Sequence, residues 1–325
     1  MEKTLAQACI VGDERQGQRL DAALAVLFPV LGLRGRRRLW KGHRVLVDGI
    51  ARSPAFKLRG GELIRLVWIS PPDAEEKLFA AFFDDPPRLI ARRGTLFFFY
   101  KPRGLHTEQL AGASEPSLAG LLERITPDAA GMRFRLLTRL DQGTSGIVPA
   151  AGDEGAARRW RQREQAGEMD KHYLALLEGW LDAEQTAHNA LDLTRARRTR
   201  VSDGEGPALR HTRIRPLGHF QAADAPELMY GCPGEARVTL ALCRIAQGAR
   251  HQIRAHAAHI GYPLVGDMLY GAQGGTSFLL HHCRIQWSDG QVSSAPPWIA
   301  SLPLPVREQA RVALSFPQGE VALTA

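Results

Sequence analysis

Apolar residues recur at helical spacing in a few stretches of this chain and crowd at strand-like density in several others. Leu20, Ala23, Leu24 and Leu27 share one face of a helix that Pro29 closes. The run LRGRRRLWKGHR (33–44) predicts a short second helix ending near Gly42. VLVDGIAR (45–52) reads as a hairpin, because Asp48-Gly49 supplies the positive φ angles of a tight turn, and GGELIRLVWI (60–69) follows as a closing strand. Pro pairs flank an acidic stretch in SPPDAEEKLFAAFFDDPPRLIARRG (70–94), so residues 71–94 are expected to be a linker between a domain at 1–70 and one at 95–325.

Past the linker, strands and helices mix without regular alternation. TLFFFYKP (95–102), HYLALLEGW (172–180) and ARVTLALCRI (236–245) predict strands, and SLAGLLERI (117–125), EGAARRWRQREQAG (154–167) and RHQIRAHAAHIG (250–261) predict helices. The expectation is an α+β chain: a small α/β domain, then a domain with a central, largely antiparallel mixed sheet and flanking helices.

Composition narrows the class. A chain of 325 residues, 44% hydrophobic and 23% charged, is long enough to bury two cores. The net charge of +8 suits a polyanionic partner, and equally a solvated surface. Cys9, Cys232, Cys243 and Cys283 are scattered, which argues against a disulfide framework and a structural metal site and for a reducing cytoplasm. Acids interrupt the N-terminus where a signal peptide needs an apolar core, and LDAALAVLFPVLGL (20–33) is too short to span a bilayer. Neither export nor membrane insertion is expected, and no obligatory protein partner is evident.

Three residues invite a chemical reading. Asp141 in RLLTRLDQGTSGIV (135–148) follows apolar Phe134, Leu136, Leu137 and Leu140 and precedes a turn at Gly143 to Gly146. A partly desolvated carboxylate there needs a cation or hydrogen bonds to stay ionised; Arg139 is one candidate and Arg254, from ARHQIRAHAAHIGYPLVGD (249–267), another. A structural Arg–Asp pair tying a turn to a helix would use the same residues. Tyr173 beside Lys171 could stack a base, or simply fill the core. His251, His256 and His259 lack the four-residue spacing that best places two metal ligands on one helical face. Arg34, Arg36, Arg37, Arg38, Lys41 and Arg44 bunch without interleaved acids, a pattern for RNA contact or a solvated face.

Taken in order, YKPRGLHT (100–107), RLDQGTSGIV (139–148), DKHYLALLEG (170–179), GARHQIRAH (248–256), GYPLVGDMLYG (261–271) and LLHHCRIQW (279–287) resemble the successive motifs of the RluA family of pseudouridine synthases. The segment Arg19 to Gly49, with its RLD helix, basic helix and G-x-x-V-x-V-[ND]-G pattern, resembles the S4 RNA-binding domain. In that S4-like segment Asp21 is expected to face solvent or cap its helix.

The resemblance implies isomerisation of uridine to pseudouridine in ribosomal or transfer RNA. It makes Asp141 the catalytic aspartate, Arg254 its partner, Tyr173 the platform for the uracil, and Arg139 the filler of the space left by the flipped nucleotide. Arg34, Arg36, Arg37, Arg38 and Lys41 would contact RNA. Isomerisation consumes no redox equivalent, so no cofactor and no metal are expected. The sequence departs from the family at Thr138, where a histidine is common, at Gln142-Gly143, where the usual pair ends in Asp, in the spacing of GARHQIR, and at Ser288-Asp289. A catalytically idle RNA-binding factor on the same scaffold stays open, as does a glycosidic hydrolase with Asp267 as second carboxylate.

Overall fold

The computed structural model describes residues 7–28, 32–41, 43–68, 85–109, 116–129, 131–194, 198–275 and 278–315. Pro29, Gly42 and most of the expected linker lie outside them, as do the side chains of Arg38 and Lys41. The chain divides into two units, Met1–Pro86 and Pro87–Ala325. Among the described residues no helix is long and apolar enough to cross a membrane.

The first unit contains β1 (Gln7–Ile10), α1 (Leu20–Ala23), α2 (Leu33–Arg38), β2 (His43–Val47), β3 (Ile50–Ala51) and β4 (Leu63–Trp68). Its antiparallel sheet runs β1-β4-β2-β3. Asp48 and Gly49 take φ of 51° and 78°, the left-handed pair that a two-residue hairpin turn requires. Leu20, Leu24, Val45, Val47, Ile64 and Leu66 form the core.

Asp21 departs from its expected place at the surface. It is completely buried. Arg19 donates to its carboxylate through Nε (3.1 Å) and Nη2 (2.9 Å), and Arg37 Nε adds a third bond at 2.7 Å. Arg36 Nε also donates to the Asp21 carbonyl oxygen, at 3.0 Å. The second position of so short a helix faces the basic helix rather than water, and the arginines there make burial of the carboxylate tolerable. Part of the basic run therefore works inside the fold.

The second unit begins with a correction to the linker. Arg88–Arg93, expected within it, is strand β5, joined to β6 (Leu96–Lys101) by a turn at Gly94 with φ of 58°. Its arginines disguise an edge strand: Arg88 lies over the Tyr100 ring and Arg92 over Phe97, apolar contacts that leave charge toward water. The remaining elements are α3 (Leu118–Ile125), β7 (Arg135–Leu136), β8 (Ser145–Ala151), α4 (Glu154–Gln165), β9 (Met169–Glu178), β10 (Gln185–Ala187), β11 (Asn189–Asp192), β12 (Arg200–Glu205), β13 (Thr212–Gln221), β14 (Arg237–Ile245), α5 (Gln252–His259), β15 (Leu280–Trp287), β16 (Gly290–Ser293) and α6 (Leu304–Leu314).

The main sheet runs β10-β13-β14-β9-β15-β8-β6-β5, with β16 on β15 and β7 on β8, while β11 and β12 form a separate ribbon. Among the described pairs only β8 with β15 is parallel. The fold is α+β, as the mixed order of elements predicts. Along β9, Met169 packs on one face with Phe98, Trp160 of α4 and Trp287, and Leu174 and Leu176 pack on the other against Val306 and Ala310 of α6.

The buried Asp21 gives the first test. Its arginine partners, Arg19 foremost, hold its carboxyl at about 2, so the stabilisation is present above the unfolded value and fades as pH falls through about 2. Asp21→Asn is expected to destabilise the first unit by about 2 kcal/mol at neutral pH. Hydrogen exchange of peptides from residues 7–68 in the full chain reads this out; unchanged protection would show that the carboxylate carries no such weight.

Candidate active site

One row across the main sheet forms the floor. Lys101 on β6 sits opposite Gly146 on β8, Gly146 opposite His282 on β15, His282 opposite Tyr173 on β9, and Tyr173 opposite Cys243 on β14. Residues in register share a face, and the Tyr173 and His282 rings stack with centroids 4.5 Å apart. Gly146 is required here: with φ of 115°, a Cβ would lie 2.3 Å from the His282 carbonyl oxygen. A larger residue would push β8 off β15.

Asp141 stands in the loop that enters β8, not in a strand. Thr144 N–H donates to the Asp141 carbonyl (3.0 Å), closing a turn directly after it. Thr107 fastens the preceding residue, donating to Leu140 O at 2.7 Å and accepting from Leu140 N at 3.1 Å. Gln142 is held from both sides: Gly104 N–H donates to its carbonyl (2.8 Å), and its side-chain Nε2 donates back to Gly104 O (3.2 Å). The carboxylate is thus aimed by a loop pinned along its length.

Arg254, on α5, completes the arrangement. Its Nε and Nη2 form a fork onto Asp267 (2.6 and 2.9 Å), and its Nη1 donates to Asp141 Oδ2 (2.9 Å). The side chain of Asp267 is 2% exposed and that of Asp141 is 21% exposed, so one carboxylate is an anchor and the other faces the opening. Burial alone would lower the guanidinium pKa, but the two carboxylates outweigh it and hold Arg254 above its ordinary value. The ring of Phe278 covers the guanidinium at 4.3 Å. No hydrogen bond among the described residues reaches Asp141 Oδ1.

Helix α5 is itself fixed by the motif around Arg254. Gln252 accepts from Ala249 N–H (2.9 Å) and donates to Arg210 O (2.7 Å), while His256 bonds Thr212 Oγ1 through Nδ1 (2.8 Å) and Asn189 O through Nε2 (3.1 Å). Asp267 is brought in by the segment before it, which bonds along β9 through Glu178 N–H to Pro263 O and Val265 N–H to Leu176 O.

Tyr173 is buried, and burial together with the Asp141 charge raises its pKa, so the phenol keeps its proton. Beneath it, burial pulls His282 down to about 3; the neutral ring donates from Nδ1 to Ile147 O. Lys101 is fully buried and donates to the carbonyls of Pro102, Leu105 and Gln142, with burial pulling its pKa to about 7 against the opposing pull of Asp141. Arg139 points away: its side chain is 66% exposed and pairs with Glu108 at 3.1 Å. Of the residues singled out in the sequence, Arg254 bonds Asp141 and Tyr173 lies near enough to feel the Asp141 charge. Lys101 lies in YKPRGLHT and Asp267 in GYPLVGDMLYG, but nothing in their spacing says which groups they meet. With both its oxygens taken by Arg254, Asp267 is not a free second carboxylate for glycoside hydrolysis. Among the described residues no group of three or more His, Cys, Asp or Glu is placed to hold a metal ion.

The profile of the RNA pseudouridylate synthase family matches residues 95–259. The ribosomal large subunit pseudouridine synthase D of Xanthomonas campestris pv. campestris is 32% identical over 83% of this chain and 76% of its own length. The protein of the same name from Escherichia coli K12 is 31% identical over 84% and 78%. Among solved structures, human RNA pseudouridylate synthase domain containing 1 superposes with a TM-score of 0.54 at 22% identity, covering 72% of this chain and 97% of that one, a likeness of fold.

The unequal burial of the two carboxylates makes a prediction. Asp267→Asn removes the enclosed half of the Arg254 fork and is expected to cost about 3 kcal/mol of stability. Asp141→Asn, on the open side, is expected to cost about 1 kcal/mol or less. Urea unfolding of both variants checks the ranking, which reversal would refute.

Proposed function

Because the chain belongs to the RluA family of RNA pseudouridine synthases, and is an enzyme that isomerises uridine in RNA, we propose that it acts on ribosomal RNA with Asp141 as its catalytic carboxylate. The observation that carries the reading is Arg254 Nη1 on Asp141 Oδ2, which holds the carboxylate by one oxygen and leaves Oδ1 free for the nucleotide. Ribosomal RNA is favoured over transfer RNA by the names of the relatives.

The chemistry follows from these positions. A uridine taken out of its stack is received on the Tyr173 ring, whose support by His282 offsets part of the unstacking cost. Asp141 Oδ1, as nucleophile or base, initiates cleavage of the C1′–N1 bond; the uracil turns over, C5 bonds to C1′, the C5 proton leaves to solvent and N1 gains one. Tyr173, keeping its proton, serves as platform and hydrogen-bonding group rather than as a phenolate. Arg254 stabilises the carboxylate each time it returns to its charged form. Arg139, exposed and paired with an exposed Glu108, can enter the gap left in the RNA.

The first unit is read as an S4-like RNA-binding module. Arg34 is exposed on α2 and available for phosphate, whereas Arg36 and Arg37 also serve Asp21. Arg38 and Lys41 complete the basic patch by sequence. Phosphate contacts of this kind position RNA without reading it.

Two measurements test the proposal. Asp141→Asn should abolish tritium release from RNA labelled at uridine C5 while RNA affinity stays within about threefold, since the phosphate contacts that dominate affinity are untouched; turnover in that variant overturns the assignment. Arg34→Gln with Lys41→Gln should flatten the salt dependence of RNA binding by about one unit of slope for each phosphate no longer neutralised. An unchanged slope would remove the patch from the RNA interface.

A further inference from the structure

His251 holds a conformation that its residue type disfavours. Its φ and ψ are 53° and 17°, in the left-handed region, immediately before α5 begins. A β-carbon there costs on the order of 1 kcal/mol, so the surroundings must hold it. The ring supplies the reason. His251 Nδ1 lies 3.0 Å from the Tyr270 hydroxyl, the two rings meet edge to face, and Nε2 lies 3.8 Å from Asp141 Oδ2.

The proton positions can be assigned. Thr199 N–H donates to the Tyr270 hydroxyl at 2.9 Å, so that oxygen already has a donor and has one proton of its own to give. Two acceptors lie within its reach, Thr199 O at 3.2 Å and His251 Nδ1 at 3.0 Å. If Thr199 O takes the proton, a neutral His251 must carry its own on Nδ1 and turn a lone pair toward the Asp141 carboxylate. If Nδ1 takes it, Nε2 carries N–H toward that carboxylate. The second arrangement is the electrostatically favourable one. Burial keeps the imidazole pKa below its ordinary value, against Asp141, so the neutral ring is the relevant form near neutrality.

We propose that His251 is a positioning residue for the reaction: oriented by Tyr270, its Nε2–H joins Arg254 on Asp141 Oδ2 and thereby presents Oδ1 to the nucleotide. This inference rests on the assignment of Asp141 made above. A separation of 3.8 Å is long for a hydrogen bond, and such interactions tighten when substrate closes a site. A neutral donor is suited to the task, because it orients the carboxylate without adding a second full positive charge that would quench its reactivity.

Two substitutions separate positioning from mere support. Asn tolerates the left-handed backbone but is too short to reach Asp141, whereas Gln can place an amide N–H near the position of Nε2. His251→Asn should lower the single-turnover rate of tritium release at least tenfold with RNA affinity within twofold, and His251→Gln should recover most of that rate. Tyr270→Phe should also slow release, and should add little to His251→Asn, since both break one chain of interactions. A wild-type rate in His251→Asn, equal losses in Asn and Gln, or additive losses in the double variant each overturn the proposal. Turnover by Asp141→Asn would instead overturn the reading beneath it, so the two failures are distinguishable.

Discussion

The second unit is organised around one guanidinium that two carboxylates share. Arginine is the side chain that can do this, because a rigid fork satisfies Asp267 through two nitrogens and leaves a third aimed at Asp141. Lysine, with a single nitrogen, would have to choose. The sharing is also made unequal by burial: Asp267 is sealed in and fixes where Arg254 points, while Asp141 takes the remaining hydrogen bond on one oxygen only. Two negative charges against one positive leave the cluster with an excess of negative charge. The donors gathered nearby, buried Lys101 beneath the loop and His251 at its side, lie where that excess is felt.

The sheet explains why residues so far apart in sequence meet. The parallel pairing of β8 with β15 brings the loop before β8 over the His282 end of β15, and β9 on the other side of β15 delivers Tyr173 to the same row. Close approach at Gly146 lets the strands pair there at all. The segment following α5 then runs back along β9, which carries Asp267 beneath the helix that holds Arg254. Backbone pairing thus sets the frame, and side-chain bonds of Thr107, Gln252 and His256 fix the loop and the helix upon it, which gives the rigid support that preorganised electrostatics needs.

What was legible in the sequence follows from range. Helices and strands announce themselves by local periodicity, so TLFFFYKP, EGAARRWRQREQAG and HYLALLEGW fold as their patterns predict. Asp141, Tyr173 and Arg254 were visible because their motifs are distinctive, and their meeting was inferred from the motifs' order rather than from geometry. Asp21 was misplaced because a buried acid and an exposed one look identical until the arginines that meet it are known. Strand β5 was hidden by its charges, which an edge strand tolerates and a central strand would not. The role of Asp267 left no trace for the same reason as Asp21: a long-range ion pair has no period.

The unusual Gln142-Gly143 pair is where the sequence left an idle scaffold open, and its geometry argues the other way. The Gln142 backbone carbonyl receives the Gly104 N–H and the Lys101 ammonium, so the loop's course is set by main-chain bonds that the side chain merely reinforces. At Gly143 a Cβ would lie 2.7 Å from the Phe278 ring. A residue as large as aspartate there would have to displace the Phe278 ring, and Phe278 is the ring that covers Arg254. The glycine and the phenylalanine are therefore one device: the acid common in the family at this position is absent, and an aromatic cover over the guanidinium occupies the space. Such a cover excludes water from the face of the cation and strengthens its hold on Asp141 and Asp267. A departure that tightens the central ion pair is what a working site can accommodate, and the pair it tightens is the one on which turnover would depend.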